Sequence, residues 1–183
     1  MVRAFIAVDV VDENVVRQVV SVQNELSRFG GNGLKHVEPE NLHLTLRFLG
    51  EIDDAGVEIA SEALRKVQAS PFTITFSGLG YFPGGGRVNV IWVGVTEGAD
   101  KLEDIHSQLE KNLANMRLEK ERVSPHLTIC RGKFGKDRNG LLSVISKNSK
   151  TFFGSQRVER IALKKSVLTS SGPIYSDIMV RKL

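Results

Sequence analysis

Apolar positions along the chain change period from segment to segment, and the changes outline the elements. Residues 3–10 are rich in Val, Ile and Phe and predict a buried strand. Asp12 then opens a predicted helix to about Phe29, with Val15, Val16, Val19, Val22 and Leu26 at helical spacing and Gly30-Gly31 as the stop. Residues 35–38 predict a short strand before Pro39, and residues 42–49 a longer one closed by Gly50. Asp53-Asp54 can cap a helix to about Gln68. Residues 72–76 and 87–95 predict two strands flanking Pro83-Gly84-Gly85-Gly86, which reads as a hairpin tip rather than a phosphate loop, because no helix follows the glycines.

The second half repeats this order. A helix is predicted over 99–116 with Leu102, Ile105, Leu109 and Leu113 on one stripe. A charged loop at 119–122 leads into a strand near 125–131. A shorter helix follows at 140–149, then strands over 152–169, with a bend or break, and 174–182. Strand, helix, strand, helix, strand thus occurs twice, at close offsets: 85 for Phe5 to Val90, 83 for His43 to His126, 80 for Phe72 to Phe152. The repeat predicts two lobes in a pseudo-twofold relation within one domain, 1–183, with no long linker.

The 183 residues are 41% hydrophobic, enough for a core without disulfides, and the single Cys130 allows none within the chain. A reducing cytoplasmic setting fits. The start of the chain lacks a signal-peptide pattern, and no run approaches the roughly 20 apolar residues of a membrane span. The net charge of +4 is unevenly spread: residues 1–97 hold 8 basic and 12 acidic side chains (net −4), residues 98–183 hold 17 and 9 (net +8). A basic half suits a polyanion such as RNA, or is simply a solvated surface.

The tripeptide His-Leu-Thr occurs twice, at His43-Leu44-Thr45 and His126-Leu127-Thr128, in a chain with four histidines. On a strand, His43, Thr45 and Arg47 share one face, while Leu42, Leu44, Leu46 and Phe48 share the other. The second copy puts His126, Thr128 and Cys130 on one face, with Leu127 and Ile129 inward. Two imidazoles and two hydroxyls then line one groove. Imidazole gives or takes a proton near neutral pH, and hydroxyls can donate to an anionic oxygen, which suits phosphodiester chemistry without a metal. Zinc would need at least a third protein ligand, and neither motif offers a close set apart from Cys130. Cys130 reads as a small buried thiol before it reads as a nucleophile. His106 reads as a surface residue, and His36, near the first motif strand, as peripheral. No Gly-x-x-x-x-Gly-Lys-Ser/Thr loop is present, so no nucleotide cofactor is indicated.

The two His-x-Thr motifs resemble those of the 2H phosphoesterase superfamily, and their flanks, residues 41–50 and 124–131, resemble its 2′-5′ RNA ligase-like branch, the RNA 2′,3′-cyclic phosphodiesterases. Residues 3–8 and Gly80-Tyr81-Phe82-Pro83, with Arg87 and Trp92, extend the likeness over nearly the whole chain. The resemblance implies an α+β fold of two pseudo-symmetric lobes, each an antiparallel sheet with helices on its outer face and the active cleft between. It implies hydrolysis of RNA 2′,3′-cyclic phosphate ends to 2′-phosphate, with reversible 2′-5′ joining of RNA. It casts His43 as proton donor and His126 as acceptor, and makes Arg131 a phosphate contact. Strand parity sets Arg131 off the His126 face, so a bulge or the strand end must intervene. Arg47, of the right parity, is expected as a weaker electrostatic helper. Phe82 and Tyr81 are expected either to stack a base or to pack on the second sheet. No cofactor is expected, and the chain is expected to act as a monomer. Two other readings share the groove: an RNA-end binding module without turnover, and a phosphodiesterase for a small cyclic nucleotide.

Overall fold

The computed structural model describes residues 1–83, 88–119, 124–132, 137–170 and 172–183. In chain order the elements are β1 (Val2–Asp9), α1 (Glu13–Gly30), β2 (Leu34–His36), β3 (His43–Ile52), α2 (Asp54–Arg65), β4 (Phe72–Phe82), β5 (Val90–Val95), α3 (Ala99–Asn112), β6 (His126–Gly132), α4 (Arg138–Lys147), β7 (Phe152–Val158), β8 (Arg160–Thr169) and β9 (Gly172–Lys182). The strands join in the order β7-β4-β5-β6-β3-β1-β8-β9, all antiparallel, with β2 added beside β6.

The sheet divides into two lobes of four strands where β3 meets β6. That junction is a single pair, Leu44 with Leu127. Beyond it β3 leaves, and β2 takes over the edge of β6 from Cys130 to Gly132. Lobe one is β3-β1-β8-β9, and lobe two is β6-β5-β4-β7. The parting strands are the two that begin with the repeated tripeptide, so the motifs sit side by side where the sheet splits.

α1 and α3 bury the stripes their sequences foretold, apart from Val16, which is half-buried. Val15, Val19, Val22 and Leu26 of α1 are buried, and the Asp12 carboxylate accepts from the backbone N–H groups of Asn14 and Val15, both at 3.0 Å. The destinations of the helices are less expected. α1 leaves lobe one and packs on β7 and β6 of lobe two, beside α4. α3 leaves lobe two and packs on β3 of lobe one, beside α2. The halves of the sequence are therefore interleaved, and neither lobe is built from one half alone.

Several boundaries differ from the sequence expectation. The strand expected to close at Gly50 continues to Ile52, with Gly50 at φ 70. The helix from Asp54 stops at Arg65 rather than Gln68, and the one from Ala99 ends at Asn112 before a short 3-10 turn at Ala114–Met116. The expected break within 152–169 falls at Glu159, and it sends β7 to lobe two and β8 to lobe one. The glycine hairpin tip and Arg87, and the charged loop beyond Glu119, lie outside the described residues. Among the described residues, no helix is long and apolar enough to cross a membrane.

Candidate active site

Both motif strands carry a bulge at the same position. In the ladder to β1, Arg47 faces Ile6 and Thr45 faces Ala7, so Leu46 is the extra residue. In the ladder to β5, Cys130 faces Ile91 and Thr128 faces Trp92, so Ile129 is the extra residue. An extra residue puts the side chains beyond it on the opposite face from simple alternation. His43 and Thr45 keep the cleft face, and Phe48 joins them. His126 and Thr128 keep it, and Arg131 joins them. These six residues line one cleft of about 330 Å³, with Phe82 on its wall.

The bulge corrects the expectation for Arg47. Its side chain lies on the buried side of β3, 2% exposed, ion-paired with Glu110 and donating to the Glu119 carbonyl at 2.5 Å. It is not a cleft residue. The same flip takes Cys130 out of phase with Thr128 into the core, where burial pushes its thiol up to about 12 and so keeps it protonated. The bulge that parity demanded for Arg131 is present. Phe48, expected on the core side, is 48% exposed at the cleft. The two lobes thus differ at matched positions, with an apolar ring in one and a guanidinium in the other.

A buried polar side chain holds each bulge from the helix behind it. His106 Nδ1 donates to the Leu46 carbonyl at 2.8 Å from α3. Gln23 Nε2 donates to the Ile129 carbonyl at 2.8 Å, and to the Val37 carbonyl at 2.9 Å, from α1. Gln23 and His106 are 2% and 8% exposed, so His106 is a core residue rather than the surface residue expected. The pair shares the offset of the motifs: 83 separates Gln23 from His106, Leu46 from Ile129, and His43 from His126. That common offset is the sequence signal that would have found them. Each interleaved helix thus supplies a donor to the bulge carbonyl; that of Ile129 also accepts from the Val37 backbone N–H at 2.9 Å.

The imidazoles are oriented alike. His43 Nδ1 lies 2.6 Å from the Asn41 carbonyl, and His126 Nδ1 lies 2.7 Å from the Ser124 carbonyl. A carbonyl only accepts, so each Nδ1 carries a proton and each Nε2 is left for the cleft. Aromatic rings fix both ring planes. His43 sits 5.0 Å from Phe5 and 5.2 Å, edge-on, from Tyr175. His126 sits 5.3 Å, edge-on, from Phe82, which in turn lies 5.3 Å from Trp92. Gly80 makes room for Trp92: a Cβ there would fall 2.1 Å from the indole ring. Tyr81 packs against the core instead of facing the cleft.

Burial holds the His43 imidazole below its ordinary value. Its bond to Asn41 and the carboxylate of Asp9 act the other way, and the charges of Arg131 and Lys164 add to the depression. Asp9 stands opposite His43 in the ladder, but its carboxylate is shared with Lys164 at 2.9 Å, which also meets Asp177 at 2.5 Å. Burial would lower Lys164, yet Asp177 and Asp9 outweigh it and raise it. His36 lies on β2 beside the second motif strand, its Nε2 2.8 Å from Ser27 Oγ, away from the paired imidazoles. Among the described residues, no group of three or more His, Cys, Asp or Glu side chains is gathered as a metal site.

The chain matches the family described as LigT like Phosphoesterase twice, over residues 8–92 and 93–175, one match for each half of the doubled pattern. A protein of Archaeoglobus fulgidus named RNA 2′,3′-cyclic phosphodiesterase is 38% identical over 179 residues, covering 97% of this chain and 98% of its own. One of the same name from Methanothermobacter thermautotrophicus is 36% identical over 185 residues, covering 100% and 99%. A crystal structure of a Thermus thermophilus protein, 28% identical, superposes with a TM-score of 0.79 and covers 99% of this chain and 97% of its own. E. coli LigT in apo form, 22% identical and covering 100% and 97%, shares the fold with a TM-score of 0.77. With both motifs inside the two matched segments, and with relatives alike from end to end, the chain belongs to the LigT-like phosphoesterases of the 2H superfamily.

Proposed function

We propose that the cleft hydrolyses RNA 2′,3′-cyclic phosphate ends to 2′-phosphates, and that, with an RNA 5′-hydroxyl attacking phosphorus in place of water, it reversibly joins RNA ends through a 2′-5′ linkage. One observation supports this above the rest: two imidazoles, each with Nδ1 bonded to the carbonyl two residues earlier, present Nε2 to one cleft. Proton transfer of this kind is worth roughly 10² to 10⁴ in rate per group. In hydrolysis His126 Nε2 takes a proton from water as its oxygen bonds to phosphorus. His43 Nε2–H gives its proton to the 3′ oxygen as the phosphorus–O3′ bond breaks. The products are a 3′-hydroxyl and a 2′-phosphate, and the two imidazoles have exchanged protonation states.

The Thr45 and Thr128 hydroxyls donate to the non-bridging oxygens, and Arg131 meets the phosphate charge as a guanidinium suits it. The donor role needs a protonated His43, which burial disfavours. The phosphate anion restores the balance by favouring imidazolium once bound. Phe82, 41% exposed beside His126, offers the remaining ring face to a base. The relatives named RNA 2′,3′-cyclic phosphodiesterase favour RNA as substrate. A monomer comprising one bilobal domain over 1–183, acting in the cytoplasm without a cofactor, completes the reading.

The test is incubation with a nucleoside 2′,3′-cyclic phosphate in EDTA, with the product identified by chromatography. The 2′-phosphate is expected. A 3′-phosphate, or activity lost to EDTA and restored by zinc, overturns the mechanism.

A further inference from the structure

The cleft does not end at the paired histidines. His43, Phe48 and Arg131 also line a second hollow of about 410 Å³, which runs over the open face of lobe one to Arg3, Leu168 and Tyr175. Arg3 and Leu168 in turn line a third hollow, of about 330 Å³, which reaches Lys165. The other face of this sheet is covered by α2 and α3. The open face bears Phe48, 48% exposed, and Leu168, 68% exposed, with Arg3 exposed beside them, while Lys165, opposite Ala4 in the ladder, belongs to the other face. Among the described residues that line the three hollows, Glu51 is the only carboxylate.

An antiparallel sheet face with apolar and aromatic side chains set between cations has the chemistry that single-stranded RNA needs. Bases take the apolar faces and phosphates take the cations. Covalent logic gives the direction. A cyclic phosphate occupies the 3′ end of its strand, so every other nucleotide lies on the 5′ side and must leave the cleft along one wall. The hollow that shares His43 and Arg131 with the cleft is a continuous way out. Exposed apolar groups alone would equally suit a protein partner. The interposed cations and the continuity with the phosphate site favour RNA.

We propose that the open face of lobe one, from Phe48 to Arg3 and Leu168, binds the RNA strand leading to the reacting end. The proposal rests on the hydrolysis reading above and adds a length preference to it. The experiment compares kcat/KM for a mononucleoside 2′,3′-cyclic phosphate and for a short single-stranded oligoribonucleotide with the same end. Both are run on the wild type and on the variant Arg3→Gln/Leu168→Ser. The wild type prefers the oligonucleotide by roughly tenfold or more, the scale of one stacked base. The variant loses most of that preference and shows a flatter salt dependence, while its mononucleotide kcat/KM is unchanged. Equal kcat/KM for both substrates in the wild type overturns the proposal, and so does a preference retained in the variant. Failure to hydrolyse either substrate overturns the hydrolysis reading itself, which separates the two failures.

Discussion

His43 and His126 carry the same hydrogen bond, yet their surroundings differ at one matched pair. Phe48 stands where the second motif has Arg131, so the cleft carries this guanidinium on one side only. Arg131 also adds to the depression of His43, whose lead cause is burial. The sign of the resulting pH dependence follows. In its proposed role as the acid, His43 must be protonated, so kcat/KM, which reports the free enzyme, is predicted to fall as pH rises through a value below the usual 6.5. In the complex the phosphate anion favours imidazolium, so the alkaline limb of kcat lies at higher pH. Initial rates measured across pH will show the two limbs apart; coincident limbs contradict the donor role of His43. How much of this was legible differs from residue to residue. The two histidines and threonines were, because His-x-Thr places them on one strand face before any irregularity. Arg47 and Phe48 were not, because the bulge residue Leu46 is itself apolar and its sequence looks like unbroken alternation.

The element that decides the site is the bulged strand. Alternation holds from His43 to Thr45 and from His126 to Thr128, and one extra residue then inverts the side chains that follow, as far as Phe48 in β3, where a second shift at Leu49 resets the phase, and through Arg131 in β6. Its one trace in the sequence was a conflict: Arg131, expected at the phosphate, had the wrong parity. The helix behind each bulge completes the device through Gln23 and His106. Gln23→Leu removes the donor shared by the Val37 and Ile129 carbonyls, leaving Ile129 with the Val37 N–H, at a cost of about 1–3 kcal/mol in stability. Relaxation of the bulge also turns Arg131 away, so KM rises more than kcat falls. In an Arg131→Gln background the KM effect of Gln23→Leu disappears, since its means of action is already gone. His106→Gln keeps activity, because lobe two already meets the same need with Gln. Additive KM effects in the double variant, or equal damage from His106→Gln and His106→Leu, contradict the clamp.

At the scale of the whole molecule, the doubled pattern was readable and its interleaving was not. A helical stripe says that one face is buried, but the stripes of α1 and α3 do not say which sheet they cover. Each crosses to the lobe of the other half, and β7 and β8 part company at Glu159 in the same way. Covered by each other's helices, the lobes should unfold together. Urea transitions followed by Trp92 fluorescence in lobe two and by far-UV circular dichroism over both lobes will coincide; two separated transitions contradict this. The same architecture brings one imidazole from each half to one cleft, and the central claim is that both are needed. The most direct measurement is the hydrolysis rate of a nucleoside 2′,3′-cyclic phosphate by folded His43→Ala and His126→Ala variants, with circular dichroism as the control for folding. Each variant is predicted to lose about 10²-fold or more. Wild-type activity in either folded variant would contradict the account.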